Sequence, residues 1–251
     1  MVDKTAHLPD EIDTLVERLA GKIRRLEGVE AGPSARLSSG SPPLDQHLPG
    51  GGLQQGSLVE WLAGSAAGSG TTALALMAAR VACKRGGALV VIDHGRWFYP
   101  PAAVAMGLDT NRLVVIRPDN EDDEHWVWHQ ALAAEGVAAV LGWPRKLPSA
   151  AFRRLQLAAR AGNTLGLLIR PSEAERQPSW ADARLLVEPH PTPPNHRLLD
   201  GRTLRVTILR SRGSSGGTTV EVTTGRTRAS AETRMSKPDT RSNDQQPRLW
   251  A

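Results

Sequence analysis

The sequence predicts an α/β fold built on a mostly parallel sheet, and three observations carry that expectation. From Leu44 onward, strand-like and helix-like segments alternate. Two of the strands, ALVVID (Ala88 to Asp93) and LGLLIR (Leu165 to Arg170), are continuously apolar, as strands covered on both faces are. A Gly/Ser loop, GSAAGSGTT, joins the strand VEWL to an apolar helix-length run, the strand, loop, helix context in which phosphate-binding loops work.

In chain order, Asp10 to Glu27 spaces Ile12, Leu15, Val16, Leu19, Ile23 and Leu26 at helical intervals, with Arg18, Lys22, Arg24 and Arg25 elsewhere around the wheel. Residues 1–28 are therefore expected to form an N-terminal amphipathic helix, residues 29–43 a Gly/Ser/Pro linker, and residues 44–223 the core. Within the core, strands are expected over Ser57 to Leu62, Ala88 to Asp93, Leu113 to Arg117, Val137 to Leu141 and Thr164 to Arg170. Helices are expected over Thr71 to Arg85, Pro101 to Met106, Glu121 to Glu135 and Ser149 to Ala161. After Pro171 come short strands, Arg184 to Val187, Leu204 to Leu209 and Thr218 to Thr223, joined by Gly-rich turns; an antiparallel extension of the sheet is the simplest reading. Residues 224–251 are polar and basic, and a disordered tail is expected there.

Length and composition bound the answer. At 251 residues, 40% hydrophobic, the chain fits one domain with appendages. Its net charge of +5 comes wholly from the end: residues 202–251 carry 10 Lys and Arg against 4 Asp and Glu, so the body is close to neutral. A basic tail of this kind implies an acidic partner for the tail rather than a nucleic-acid-coated core. The single cysteine, Cys83, excludes an internal disulfide and a multi-Cys zinc site, which agrees with a cytoplasmic location. No apolar stretch approaches the ~20 residues of a membrane-spanning helix, and the start, MVDKTAHLPDEID, has no leader-like pattern.

The Gly/Ser loop holds the candidate site. Gly64, Gly68 and Gly70 permit a tight backbone, and Thr71 or Thr72 could supply a hydroxyl. Aligned on G-x-x-x-x-G-K-T, however, the last glycine falls on Ser69 and the lysine on Gly70. Two readings remain: a helix-capping turn that binds nothing, or backbone N–H groups that still hold a nucleotide or anion. Asp93, at a strand end, is expected to cap the next turn, and Glu121 to Glu124 follow Asn120 as an N-terminal helix charge cluster. His125 and His129 are four apart near Glu121 but lack a third His or Cys, so no metal site is expected. One of Trp97 and Trp143 is a candidate to fill the emptied pocket, the alternative being ordinary core packing.

The stretch from Ser39 to Asp93, with its Leu44-Asp45 pair, its Gly-rich turn and its strand carrying Val59-Glu60, resembles the RecA recombinase core. Four further segments are similar to the ImuA family, the RecA-like accessories of bacterial damage-induced mutagenesis. These are IRRLEG (Ile23 to Gly28), LPGGGL (Leu48 to Leu53), YPP (Tyr99 to Pro101) and RRLQLAA (Arg153 to Ala159). The resemblance implies a RecA-like three-layer core and a non-catalytic role in the SOS translesion-synthesis complex. The implied partners are a Y-family-like polymerase homologue of the ImuB type, an error-prone replicase subunit and RecA. No membrane and no resident cofactor are implied, ATP being retained at most weakly.

The departures from the recombinase pattern support that reading. Where an I-D-x-E pattern supplies a catalytic glutamate the chain has Ile92-Asp93-His94-Gly95, and Gly142 stands at the magnesium-associated aspartate. The two DNA-binding loop positions, Gly142 to Pro148 and Pro171 to Ala183, are short, leaving weak contacts through Arg145, Lys146 and the basic tail. Contact candidates are Ile23, Arg24, Arg25 and Leu26 on the first helix, Tyr99, Arg153 and Arg154, and Arg210 and Arg212, which match residues that face a neighbouring subunit's nucleotide. A SulA-like cell-division inhibitor and a RecA-type ATP-dependent DNA-binding ATPase are the alternatives.

Overall fold

A computed structural model describes residues 35–64, 70–190, 201–212 and 216–224. The expected alternation is present almost residue for residue. The strands are β1 (Arg36–Leu37), β2 (Leu53–Gln54), β3 (Leu58–Ala63), β4 (Ala88–Ile92), β5 (Leu113–Ile116), β6 (Val137–Gly142), β7 (Leu165–Pro171), β8 (Ala183–Pro189), β9 (Arg202–Ser211) and β10 (Thr218–Thr224). The helices are α1 (Pro42–Asp45), α2 (Thr71–Lys84), α3 (Pro100–Ala105), α4 (Glu121–Ala133) and α5 (Ser149–Gly162).

Eight strands form one sheet in the order β10-β9-β8-β3-β7-β6-β4-β5. The run from β8 to β5 is parallel, and β9 and β10 add to it antiparallel. Because strand side chains alternate between faces, Val59, Trp61, Leu89, Val91, Leu141 and Leu167 pack with α2 on one side. Leu58, Val90, Ile92, Val140 and Leu168 pack against Trp128 and Leu132 of α4 and Phe152 and Leu155 of α5 on the other. The result is the three-layer α/β architecture that the sequence predicts.

Local signals explain the element ends. Asn120 caps α4, its Oδ1 accepting the Asp123 N–H at 2.9 Å. Asn163, at φ +53°, closes α5 in the left-handed conformation that asparagine tolerates.

Three expectations need correction. Residues 36–43 of the expected linker carry β1 and the start of α1, and Leu37 is buried in the core, so the folded unit starts earlier than Leu44. The first of the three late strands is not antiparallel: β8 pairs parallel with β3, Val59 opposite Ala183. The sequence of the RRLQLAAR helix reads with Leu155, Leu157, Ala158 and Ala161 as its apolar part, but Leu157 and Ala161 face out, and the buried side of α5 is Ala151, Phe152, Leu155, Gln156, Ala158 and Ala159. The N-terminal helix and the basic tail beyond Thr224 lie outside the described residues.

Beyond β7 a short 3-10 helix, Ser172–Arg176, lies against β3, and a cluster of ions takes over from the apolar layer there. Glu60 of β3 is fully buried and pairs with Arg170 of β7 and Arg184 of β8, each at 2.7 Å. Ser179 donates its hydroxyl to the same carboxylate at 2.6 Å, and Arg170 donates to the Gln177 side-chain oxygen at 2.6 Å. Arg184 also donates to the carbonyls of Ala174 at 2.6 Å and Glu175 at 3.1 Å. Residues 172–182 are thereby fastened over the strands.

Two outcomes follow from this packing. Glu60→Ala strands two arginines beside apolar strands, and urea unfolding should register a loss of about 3–5 kcal/mol. Burial pushes the Cys83 thiol up to about 11, against an opposing effect of Arg112. With so little thiolate at about pH 8, iodoacetamide should leave the native chain unmodified while labelling the urea-unfolded chain, as read by intact mass.

Candidate functional site

In open α/β sheets, ligands bind outside the carboxyl ends of the parallel strands. Here that edge collects Gly64 after β3, Gly70 at the start of α2, Asp93 after β4, and Gly142 and Trp143 after β6. Of the expected phosphate loop, Gly64, Gly70, Thr71 and Thr72 are described, while Gly68 and Ser69 lie outside the described residues.

Gly70 is the N-cap of α2 with φ +77°, a conformation suited to glycine. A Cβ at this position would lie 2.5 and 2.8 Å from the two methyl carbons of Leu204. Leu204 is fully buried in β9, so any side chain at position 70 would have to displace this branched apolar residue from the core. Gly64 is equally enclosed: its N–H donates to the Val187 carbonyl at 2.8 Å, and a Cβ would meet Glu188 Cγ at 2.7 Å. The Thr71 side chain is buried and that of Thr72 partly so.

Gly142 repeats the pattern. A Cβ there would stand 2.7 Å from the Ile92 carbonyl oxygen and 2.9 Å from the Trp128 ring. The residue that crowds the acid's position is therefore Trp128, buried in α4, rather than Trp97 or Trp143. Trp97 is 56% exposed and so fills no pocket, and Trp143 is half-buried against the α2-side core. The two indoles meet edge to face at 6.2 Å.

Asp93 acts as the cap that its position suggests. Its buried carboxylate accepts the Trp97 N–H at 2.7 Å and the Phe98 N–H at 3.3 Å, with Arg117 at 3.6 Å from the other oxygen. Next to it, burial raises the pKa of Glu124 above the ordinary carboxylate range, with His94 as the main opposing influence. His125 bonds through Nε2 to the Lys146 carbonyl at 3.1 Å, and Lys146 pairs with Glu121 at 3.2 Å. No group of three or more potential ligands is close enough to hold a metal ion among the described residues.

The remaining candidates scatter. Tyr99 is exposed at the N-cap of α3. Arg153 stacks on Trp180 with 4.7 Å to the ring centroid and bonds Gln156, whereas Arg154 is exposed on α5. Arg210 donates to the carbonyls of Ser179 at 3.2 Å and Ala181 at 2.6 Å, and Arg212 pairs with Asp182 at 3.1 Å. Both thus hold the 172–182 segment and the start of β8, at the sheet edge opposite Gly70. Ile23, Arg24, Arg25 and Leu26 lie outside the described residues.

Sequence reasoning missed Leu204 and the Glu60 cluster. The second left a signal, a glutamate inside an apolar strand and an arginine ending another. Leu204 left none, since its place against Gly70 is set only by the tertiary fold.

Gly70→Lys should neither create magnesium-dependent ATP turnover nor leave stability intact. A left-handed backbone and the Leu204 clash together predict a loss of about 2–4 kcal/mol by thermal or urea melts. Adding Leu204→Ala should recover no part of the backbone strain, so the double variant also stays below the parent.

Comparison with known proteins agrees with this architecture. Residues 14–141, just over half of the chain, match the RecA N-terminal domain. Protein ImuA of Caulobacter vibrioides is 28% identical over 210 residues, covering 75% of this chain and 85% of that protein. The DNA repair protein recA homolog 1, chloroplastic, of Arabidopsis thaliana is 37% identical over 100 residues, 40% of this chain and 22% of the relative. Protein RecA of Saccharopolyspora erythraea is 37% identical over 99 residues, 39% and 28% respectively.

Proposed function

The chain belongs to the RecA N-terminal domain family, and from that premise we propose that it is a non-catalytic RecA-fold accessory of damage-induced mutagenesis. It acts by holding other proteins together during translesion DNA synthesis. The similarity to ImuA over most of both chains supports the pathway. The proposed partners are a Y-family-like polymerase homologue and an error-prone replicase subunit, with RecA as a third, in the cytoplasm.

One observation carries the non-catalytic reading. Any side chain at position 70 would have to displace Leu204, and one at position 142 would meet Ile92 and Trp128. Phosphoryl transfer depends on positioned charge, and loss of one such group removes several kcal/mol, on the order of 3, of transition-state stabilisation. With lysine, glutamate and aspartate all absent, no side chain here supplies that charge. The Gly70 end of α2 then serves as a capping turn, and no cofactor is needed. The arginine-fastened 172–182 segment supports the same reading, because a tied loop is poorly suited to wrap single-stranded DNA.

In this reading the N-terminal segment expected to be helical, with Ile23, Arg24, Arg25 and Leu26, and the surface around Tyr99 are the principal contacts. The basic tail from residue 224 adds salt-sensitive contacts to acidic partners or DNA.

The test is a pair of assays on the purified full-length chain. ATP hydrolysis with magnesium and single-stranded DNA should stay at background, and the chain should co-elute with the polymerase homologue. Steady turnover that scales with added chain would overturn the proposal in favour of a RecA-type ATPase.

A further inference from the structure

The turn between β4 and α3 holds an exposed aromatic ring in a fixed place. Asp93, with no solvent exposure, accepts the backbone N–H of Trp97 at 2.7 Å and that of Phe98 at 3.3 Å. Arg96 takes φ +54°, a left-handed conformation that is strained for arginine. At Gly95 a Cβ would lie 2.5 Å from the Trp97 ring, so the indole rests back against bare main chain. Trp143 closes one side, edge to face at 6.2 Å and 88°. The remaining surface of the ring is open to water.

That ring is not alone. Tyr99 is 68% exposed and Val104 45%, with Pro100 and Pro101 between them. The cations around the patch divide into two kinds. Arg117 is paired with Asp93 and Lys146 with Glu121, whereas Arg96 and Arg145 make no ion pair among the described residues. Presenting an apolar ring to solvent does little for folding stability. Exposed apolar side chains rimmed by charge mark interaction sites, and tryptophan, tyrosine and arginine are the residues most often dominant there.

We propose that Trp97, Tyr99 and Val104 form a docking surface for an acidic protein segment. An aliphatic or aromatic anchor of the partner packs on the open face of Trp97, and flanking carboxylates pair with Arg96 and Arg145. Nucleic acid also combines stacking with positive charge, but Val104, Pro100 and Pro101 add aliphatic surface that an apolar protein side chain buries and a sugar-phosphate backbone does not. The inference rests on the accessory reading and names the chemistry of its partner.

The experiment measures binding of the purified Y-family-like polymerase homologue to the immobilised full-length chain. Trp97→Ala and Tyr99→Ala should each weaken binding at least about tenfold, with melting temperatures close to the parent's. Charge reversal, Arg96→Glu with Arg145→Glu, should weaken it comparably. Neutralising the same pair to alanine should flatten its dependence on salt. Unchanged affinity of Trp97→Ala for the homologue overturns the inference and leaves the accessory reading standing. A Trp97→Ala effect confined to oligothymidine binding overturns it in favour of nucleic acid. Absence of binding by the unaltered chain removes both.

Discussion

The carboxylate of Glu60 is the constraint around which the second half of the fold is arranged. It sits within the sheet, at the centre of β3, with arginines from the strands on either side. Charges so placed are tolerable only when most of their polar atoms find partners, and although Arg170 Nε is left without a hydrogen bond, the other partners come from the segment that follows β7. Once Ser179, Gln177 and the carbonyls of 174 and 175 are recruited, that segment has one path across the sheet. The path delivers the chain to β8 in parallel register with β3, and β9 and β10 then add antiparallel beside it. A single 3-10 turn held by these hydrogen bonds stands where the alternating pattern would otherwise place an α-helix.

The parallel half of the fold was legible because its physics is local. Doubly covered strands must be apolar throughout, and helices of that length must carry a buried stripe, so β4, β7, α2 and α5 declare themselves. The register of β8 was not, since nothing within Arg184 to Val187 distinguishes a parallel neighbour from an antiparallel one when the preceding connection lacks a helix. Residues 36–43 misled for a compositional reason. Gly, Ser and Pro there read as linker, yet Leu37, Ser39 and Ser41 are buried.

The candidate site divides in the same way. What is missing from it, the lysine and the acids, is visible by inspection of Gly70, Gly95 and Gly142. What replaced them is not, because Leu204 and Trp128 reach those positions from elements remote in sequence. The exposure of Trp97 was equally hidden. Aromatic residues near strand ends are core by default, and only the hydrogen bonds of Asp93 and the bare Gly95 turn this one outward.

The filling of vacated volumes also gives the fold a direction in evolutionary time. A lone charge deletion can be undone by one codon, but a lysine at position 70 now meets a methyl group that belongs to the sheet's own interior, and an aspartate at 142 meets an indole. Each return step is blocked unless a second, distant substitution arrives with it, and each such substitution by itself opens a hole in the core. On the proposed non-catalytic reading, drift carries a lineage into this state more easily than out of it.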